Sequence, residues 1–317
     1  MRRLNRRQFT RNTAAAFAAL ATECRLGALS RVLADAPQAA APRFAAFTES
    51  FQAWPIDEVC AKFRAIGLDG LDLTVRPGGH IEPRDAVKRL PKAVTAARDH
   101  GVKILMLSTG IVEANAQADE LLHVASEHKI DRIKLGYYRY QGFGTLRGQI
   151  DAVRDKLRGV AELAAKHPTL PCVHVHSGDT IPGSGPVAAM LLDGFDPQQL
   201  GAYVDPMHMT VEGGNDGWRQ GLDLLAPWIA ISSIKNCKWV ATERDADGQQ
   251  QWAFRKCPVA DGIAPLPRYF AALEQLGYHG LYTLHSEYAD RNSWKQLNAD
   301  ECLEQTRLDL EYVRRFF

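Results

Sequence analysis

From Phe44 onward the chain alternates between two kinds of pattern. Short runs of consecutive apolar residues read as strands buried on both faces. Each is followed by a longer stretch with apolar residues three or four apart, the spacing of one helix face. The first unit is a strand over 44–51 and a helix over 56–66, with Val59, Phe63 and Ile66 on one side. Strands at 70–74, 102–107, 131–135, 171–176 and 201–205 follow, with helices over 83–100, 115–128, 146–166, 186–192 and 218–226. The last two strands, 229–235 and 280–285, lead to helices over 266–276 and 300–314. Eight strand–helix repeats predict a single (β/α)8 TIM barrel, an α/β fold, over residues 43–317.

Two stretches stand outside that repeat. Residues 236–257, after the seventh strand, predict a hairpin with its turn at Asp245-Ala-Asp-Gly248. The N-terminus carries Asn5-Arg6-Arg7-Gln8-Phe9-Thr10-Arg11, an Ala-rich apolar segment from Thr13 to Ala21, and a small-x-small site at Ala34-Asp35-Ala36. Paired arginines before a weakly apolar core predict a twin-arginine export signal over residues 1–36. The expected partner is the twin-arginine export machinery and the expected location is the periplasm or beyond. Residues 39–42 read as a linker.

Composition narrows the class. Of 317 residues, 46% are hydrophobic and 24% charged, as in a globular protein whose surface meets water. A net charge of +1 leaves no basic footprint for nucleic acid. The chain holds no apolar run long enough to cross a bilayer, so no membrane span is expected. Six cysteines contain no Cys-x-x-Cys pair, which argues against a zinc knuckle or redox motif. Cys237 and Cys257 flank the hairpin; they are either a disulfide or two buried thiols.

The chemistry collects at the strand ends, where a barrel carries its active site. The second strand runs into Arg76 and His80 on a Pro-Gly-Gly loop, and the fourth into Tyr137, Tyr138 and Tyr140. The fifth ends in His174-Val-His176, whose alternation puts both imidazoles on one side. The sixth ends in Asp205, with His208 three residues on; the seventh gives Lys235, and the eighth His285 and Glu287. A carboxylate that ends a buried strand is costly unless a metal, a lysine or a substrate hydroxyl meets it. His174, Asp205 and Glu287 are therefore candidate metal ligands. Glu287, His208 and Lys235 are candidate catalytic groups, with Lys235 alternatively a counter-ion for Asp205 or Glu287. Arg76, His80, Tyr137 and His176 are candidate substrate-binding residues, and Trp239 and Trp252 are aromatic surfaces able to stack on a sugar.

These residues resemble the xylose-isomerase-like barrel superfamily, the sugar phosphate isomerase/epimerase group that also contains the type-2 apurinic endonucleases. The resemblance covers residues 44–317 and rests on Gly70-Leu-Asp-Leu-Thr-Val-Arg-Pro-Gly-Gly-His80, His174-Val-His-Ser-Gly178, Asp205-Pro-Met-His208, Ser233-Ile-Lys-Asn236 and Leu284-His-Ser-Glu-Tyr288. It implies one divalent metal (Mn, Zn, Fe or Mg) held by Glu, Asp, His and Glu on successive strand ends, with two carboxylates moving a proton beside a carbonyl. Asp205 and Glu287 match metal-site carboxylates, and His208 matches a histidine beside the substrate. His174 stands where the family has glutamate, and Ser233 where it has histidine. The resulting expectation is an exported isomerase or epimerase acting on a sugar or keto-sugar. The alternatives are a lyase or dehydratase on a keto-sugar or inositol derivative, and a sugar-binding barrel without catalysis.

Overall fold

The apolar runs pair side by side, all parallel, and the last returns to the first. The computed structural model describes residues 41–317. The segment expected to be an export signal, and Cys24 within it, lie outside the described residues. The barrel strands are β1 (Arg43–Phe47), β2 (Gly70–Val75), β3 (Lys103–Thr109), β4 (Arg132–Lys134), β6 (Leu170–His174), β8 (Gly201–Val204), β9 (Ile229–Ile234) and β12 (Leu281–Leu284). They close in that order, with β1 beside both β2 and β12 and a register of Arg43 opposite Leu281. Two antiparallel pairs lie outside the barrel: β5 (Tyr138–Arg139) with β7 (Thr180–Ile181), and β10 (Asn236–Arg244) with β11 (Gln250–Cys257). The second pair is the expected hairpin. The first, two residues a side, was too short to leave a pattern.

The helices are α1 (Ile56–Ala65), α2 (Ala86–Asp99), α3 (Ala116–Glu127), α4 (Leu146–Ala164), α5 (Gly185–Leu192), α6 (Pro206–Gly213), α7 (Gly217–Leu225), α8 (Leu266–Gln275) and α9 (Ala299–Val313). Local chemistry starts several of them. The Asn115 side chain accepts from Ala118 N at the head of α3, and Asn298 forms a capping box with Glu301 at the head of α9. Three boundaries differ from expectation. The first strand stops at Phe47 and gives way to a 3-10 turn over Thr48–Phe51, because the Thr48 hydroxyl bonds Thr74 N and turns the chain inward. The fifth run leaves the barrel at His174, so Val175 and His176 belong to the following loop. Helix α6, unforeseen, begins at Pro206 because the Asp205 carboxylate caps it.

The lumen is built in layers that follow from strand alternation. At the bottom Ala45, Leu105, Met106, Cys172, Tyr203, Ile231 and Leu281 pack into a small apolar cluster. Two residues further along, the same strands present Phe47, His174, Asp205, Ser233 and Thr283, and two further still His176, Lys235 and His285. The apolar plug holds the floor while the ionisable groups gather at the carboxyl ends. Between the strands and the outer helices lies the main core, including Phe51, Phe63, Leu90, Leu157, Trp218 and Tyr269. Cys60, Cys172, Cys237, Cys257 and Cys302 are all buried free thiols, so of the two readings for Cys237 and Cys257 the structure has thiols.

Helices α5 and α7 cross closely enough that a Cβ on Gly221 would lie 2.9 Å from the Gly185 Cα. Gly221→Val must push these backbones apart and is expected to cost about 1–3 kcal/mol, as overpacked cores do. Chemical denaturation of the variant against the parent protein checks it.

Candidate active site

Asp205 is the centre of the upper lumen. It follows β8 with no exposed surface, and its two oxygens are divided between two tasks. Oδ1 accepts from His208 N (3.0 Å), capping α6. Oδ2 faces three nitrogens: His174 Nε2 at 3.3 Å, Lys235 Nζ at 3.4 Å and His208 Nε2 at 3.8 Å. Burial opposes its charge, but Lys235, His208 and His174 together outweigh that and hold the carboxyl well below its usual range.

Lys235 leaves the end of β9 and bridges to a second carboxylate, Glu287 Oε2 at 3.7 Å. Glu287 also receives Lys256 Nζ at 2.7 Å, and Lys256 in turn pairs with Asp290. Burial again works against the Glu287 charge, yet Lys235 and Lys256 keep it ionised far into acid. Lys256 comes from the far end of the hairpin. Its backbone is tied to the loop after β12 by Lys256 N to Asn292 O and Trp294 N to Lys256 O, each 2.8 Å. The insertion thus delivers a cation to a strand-end carboxylate.

The imidazoles separate by environment. Burial drives the pKa of His174 and His208 well below the ordinary value, so both are neutral. Burial and then Lys235 bring His176 down to about 4. The His176 Nδ1 donates to Ser177 O (2.9 Å), which leaves Nε2 as a free acceptor. His176 stacks on His208 with ring centroids 3.8 Å apart, and the Ser177 hydroxyl contacts His208 Nδ1 at 2.8 Å. His285 is the opposite case. Burial disfavours its charge, but Asp72 and Glu287 more than compensate and raise it. Its Nε2 lies 2.5 Å from the Tyr203 hydroxyl, and its ring stacks on Phe47.

Several of these groups surround a cavity of about 280 Å³ at the carboxyl ends of the strands. Arg76, Lys134, Tyr137, His176, His285 and Glu287 reach its wall. Arg76 is held over Phe47 and paired to Glu49 at 2.5 Å. The Tyr137 hydroxyl meets His174 Nδ1 at 3.1 Å. Of the residues expected at the site from sequence, Arg76, Tyr137, His176 and Glu287 line the cavity, whereas His174, Asp205, His208 and Lys235 are buried beside it and reach it through their contacts with Tyr137, His176 and Glu287. His80 does not join them: it is folded back onto Thr74, whose hydroxyl accepts from His80 N at 3.0 Å. The expected aromatic surfaces are also elsewhere. Tyr138 bonds Val112 O, and Trp239 and Trp252 lie exposed on the hairpin.

Sequence reading missed Lys134, Lys256 and Asp72 as members, and placed His285 at a strand end without giving it a role. For Asp72 the signal was present: it is a lone charge inside a short apolar strand, and such a charge is rarely buried without a purpose, whereas Lys134 shares its strand with Arg132 and does not stand out. Lys256 gave none, because only the hairpin fold brings it to Glu287.

The arrangement was tested for the divalent metal expected on His174, Asp205 and Glu287. The residues present do not fit it. Lys235 Nζ stands between Asp205 and Glu287, within 3.4 and 3.7 Å, in the place of a cation those carboxylates would share. Ser233, where the related fold supplies histidine, is a buried hydroxyl without a partner. Among the described residues no three His, Cys, Asp or Glu side chains converge as a metal site requires.

Lys134 carries the clearest pH signature. Burial, then the Arg76 charge, bring its pKa from 10.5 down to about 7. Between those values the unfolded chain holds a proton that the folded chain lacks, so this residue's contribution to stability rises with pH across that window and its penalty is complete below about 7. Lys134→Met is therefore expected to raise the melting temperature at about pH 6, with the gain fading towards about pH 10. Thermal unfolding across that range measures it.

The comparisons agree with the fold. The model of the family described as xylose isomerase-like TIM barrel matches residues 60–308. No curated protein matches the chain by sequence. Among solved structures, a 3-keto-D-glucoside 4-epimerase from E. coli is similar with a TM-score of 0.63 at 15% identity, covering 86% of this chain and 99% of its own. A D-allulose 3-epimerase from Methylomonas sp., in complex with D-allulose, has a TM-score of 0.65 at 15% identity over 87% of this chain and 98% of its own. A xylose isomerase-like TIM barrel protein from Mycobacterium smegmatis, in complex with magnesium, has a TM-score of 0.63 at 17% identity over 89% of this chain and 100% of its own. At these identities the structural likeness is one of fold. With the family model spanning most of the chain, this protein belongs to the xylose isomerase-like TIM barrel family.

Proposed function

We propose that this protein is an isomerase or epimerase acting on a sugar or keto-sugar by moving a proton at a carbon next to a carbonyl. The observation that carries the reading is the 280 Å³ cavity at the strand ends. There a fixed carboxylate, Glu287, and a neutral imidazole with a free acceptor nitrogen, His176, share the wall with the Arg76 cation and with His285, whose pKa Asp72 and Glu287 raise. Epimerisation and isomerisation need this set: one group to take a proton, one to return it, and positive charge where the enolate oxygen develops. Polar walls of mixed charge suit a hydroxylated ligand better than an apolar one. The sugar-acting proteins of similar fold support the substrate class.

In the proposed mechanism Glu287 accepts the proton, and a water held on the His176 Nε2 returns one from the opposite side. Lys235 holds Asp205 and Glu287 in place and, with His285 and Arg76, lowers the energy of the oxyanion. No step is routed through a metal, because Lys235 fills the position between the carboxylates.

We further propose that the chain is exported by the twin-arginine route, on the strength of Arg6-Arg7 and the Ala-rich segment behind them. Replacing both arginines by lysine is expected to keep the protein in the cytoplasm, as cell fractionation would show.

The reaction is tested by proton exchange in heavy water, with D-fructose and dihydroxyacetone among a panel of ketoses and NMR as the readout. Deuterium entering beside the carbonyl is the expected result. Glu287→Gln should lower the rate about 10²–10⁴-fold and Lys235→Met about 10²–10³-fold. Loss of water from the ketose would instead identify a lyase. Saturable binding with no exchange would identify a binding protein.

A further inference from the structure

Three lysines reach the upper lumen, and two have an obvious employment. Lys235 and Lys256 each meet carboxylate oxygens. The third, Lys134, does not. It is the last residue of β4, 2% exposed, and its Nζ has neither hydrogen-bond partner nor ion pair. The nitrogen sits over the Tyr137 ring, 3.7 Å from its centroid. Yet Lys134 lines the 280 Å³ cavity together with Glu287 and His176. Opposite it in register on β3 is Ser108, whose buried hydroxyl is likewise unpartnered and also lines the cavity.

A buried ammonium without an anion is among the costlier things a protein can hold. The surroundings relieve that cost by favouring the neutral amine: burial, and the positive charges of Arg76 and Lys235, outweigh Asp72 and Glu49. A neutral amine near neutral pH is a nucleophile, and lysines desolvated in this way are suited to attack carbonyl carbons. A lysine placed only for structure would be expected to neutralise a carboxylate, as its two neighbours do.

We propose that Lys134 forms an imine with the carbonyl carbon of the keto-sugar, and that proton removal at the adjacent carbon proceeds through this imine. The inference rests on the reading under Proposed function. The Nζ lone pair makes the C–N bond, and Ser108 relays a proton from that nitrogen to the carbonyl oxygen. The hydroxyl so formed takes a second proton from solvent water and leaves as water, and a protonated C=N bond remains. Glu287 takes the proton from the neighbouring carbon, and the released electron pair forms an enamine, with the iminium nitrogen as electron sink. A proton delivered to the same carbon by water on the His176 side, while Glu287 passes its own proton back to solvent, restores the iminium with the configuration inverted. Water then releases the product and regenerates the amine, so nothing is oxidised or reduced overall. This chemistry supplies the electron sink without a metal, in agreement with a site whose carboxylates are already occupied by lysine.

Trapping tests it. The full chain is incubated with D-fructose or dihydroxyacetone, reduced with sodium borohydride, and mapped by peptide mass spectrometry. The expected result is one reduced adduct per chain on Lys134, dependent on ketose, absent from Lys134→Arg, and increasing as the pH rises through about 7. Mapping on the unaltered protein keeps the test valid if the variant folds poorly. An adduct on Lys235 or Lys256 in its place, or one undiminished in Lys134→Arg, would overturn the proposal. So would no adduct with a ketose whose proton still exchanges in heavy water, and in that case isomerase chemistry stands while the imine falls. Neither adduct nor exchange with any ketose tried would overturn both.

Discussion

The whole upper half of the barrel depends on keeping one buried carboxylate ionised. Asp205 has no exposed surface, so its charge survives only because backbone and side chains surround it with donors. One oxygen caps α6 and so sets where the chain turns after β8. The other collects His174, His208 and Lys235 from three different strand ends. Removing Lys235 would leave a charge in low dielectric with only neutral imidazoles beside it, and breaking a buried pair in this way typically costs about 3–5 kcal/mol. Lys235 also orients Glu287, so the positions of both site carboxylates share one cause.

The barrel supplies the conditions for this arrangement through its alternation. Each inward-facing series begins apolar and ends ionisable: Cys172, His174, His176; Ile231, Ser233, Lys235; Leu281, Thr283, His285, Glu287. The apolar floor excludes water from below, which strengthens every charge interaction above it. Similar imidazoles consequently shift in opposite directions, His176 and His208 lowered by burial and Lys235, His285 raised by Asp72 and Glu287. Such divergence among like groups is a mark of a site where protons are handled.

The hairpin after β9 extends this logic beyond the barrel. Its tip is exposed, but its base is sutured to the loop after β12, and Lys256 at that base closes over Glu287. An insertion in a barrel loop can alter chemistry without disturbing the fold, because the strands beneath it are held by their own ladder and core. With Lys235 and Lys256 on its carboxylates and Lys134 unpaired nearby, this cavity is organised around amines.

Sequence by itself determined the architecture. The strand runs and helix spacings of residues 44–317 were read with boundaries off by a few residues, because burial on both faces of a parallel strand forces continuous apolar runs. It also determined most of the candidate site, since a barrel places strand ends together and His174, His176, Asp205, Lys235 and Glu287 were strand ends. The tertiary structure alone decided how those side chains pair. Lys235 proved to sit between Asp205 and Glu287, His80 to fold back onto Thr74, and Lys256 to arrive from a hairpin whose reach no local pattern encodes. The reason is physical. Periodicity reports which face of an element is buried, whereas ion pairing depends on distances of a few ångströms between residues far apart in the chain, set only when the barrel closes.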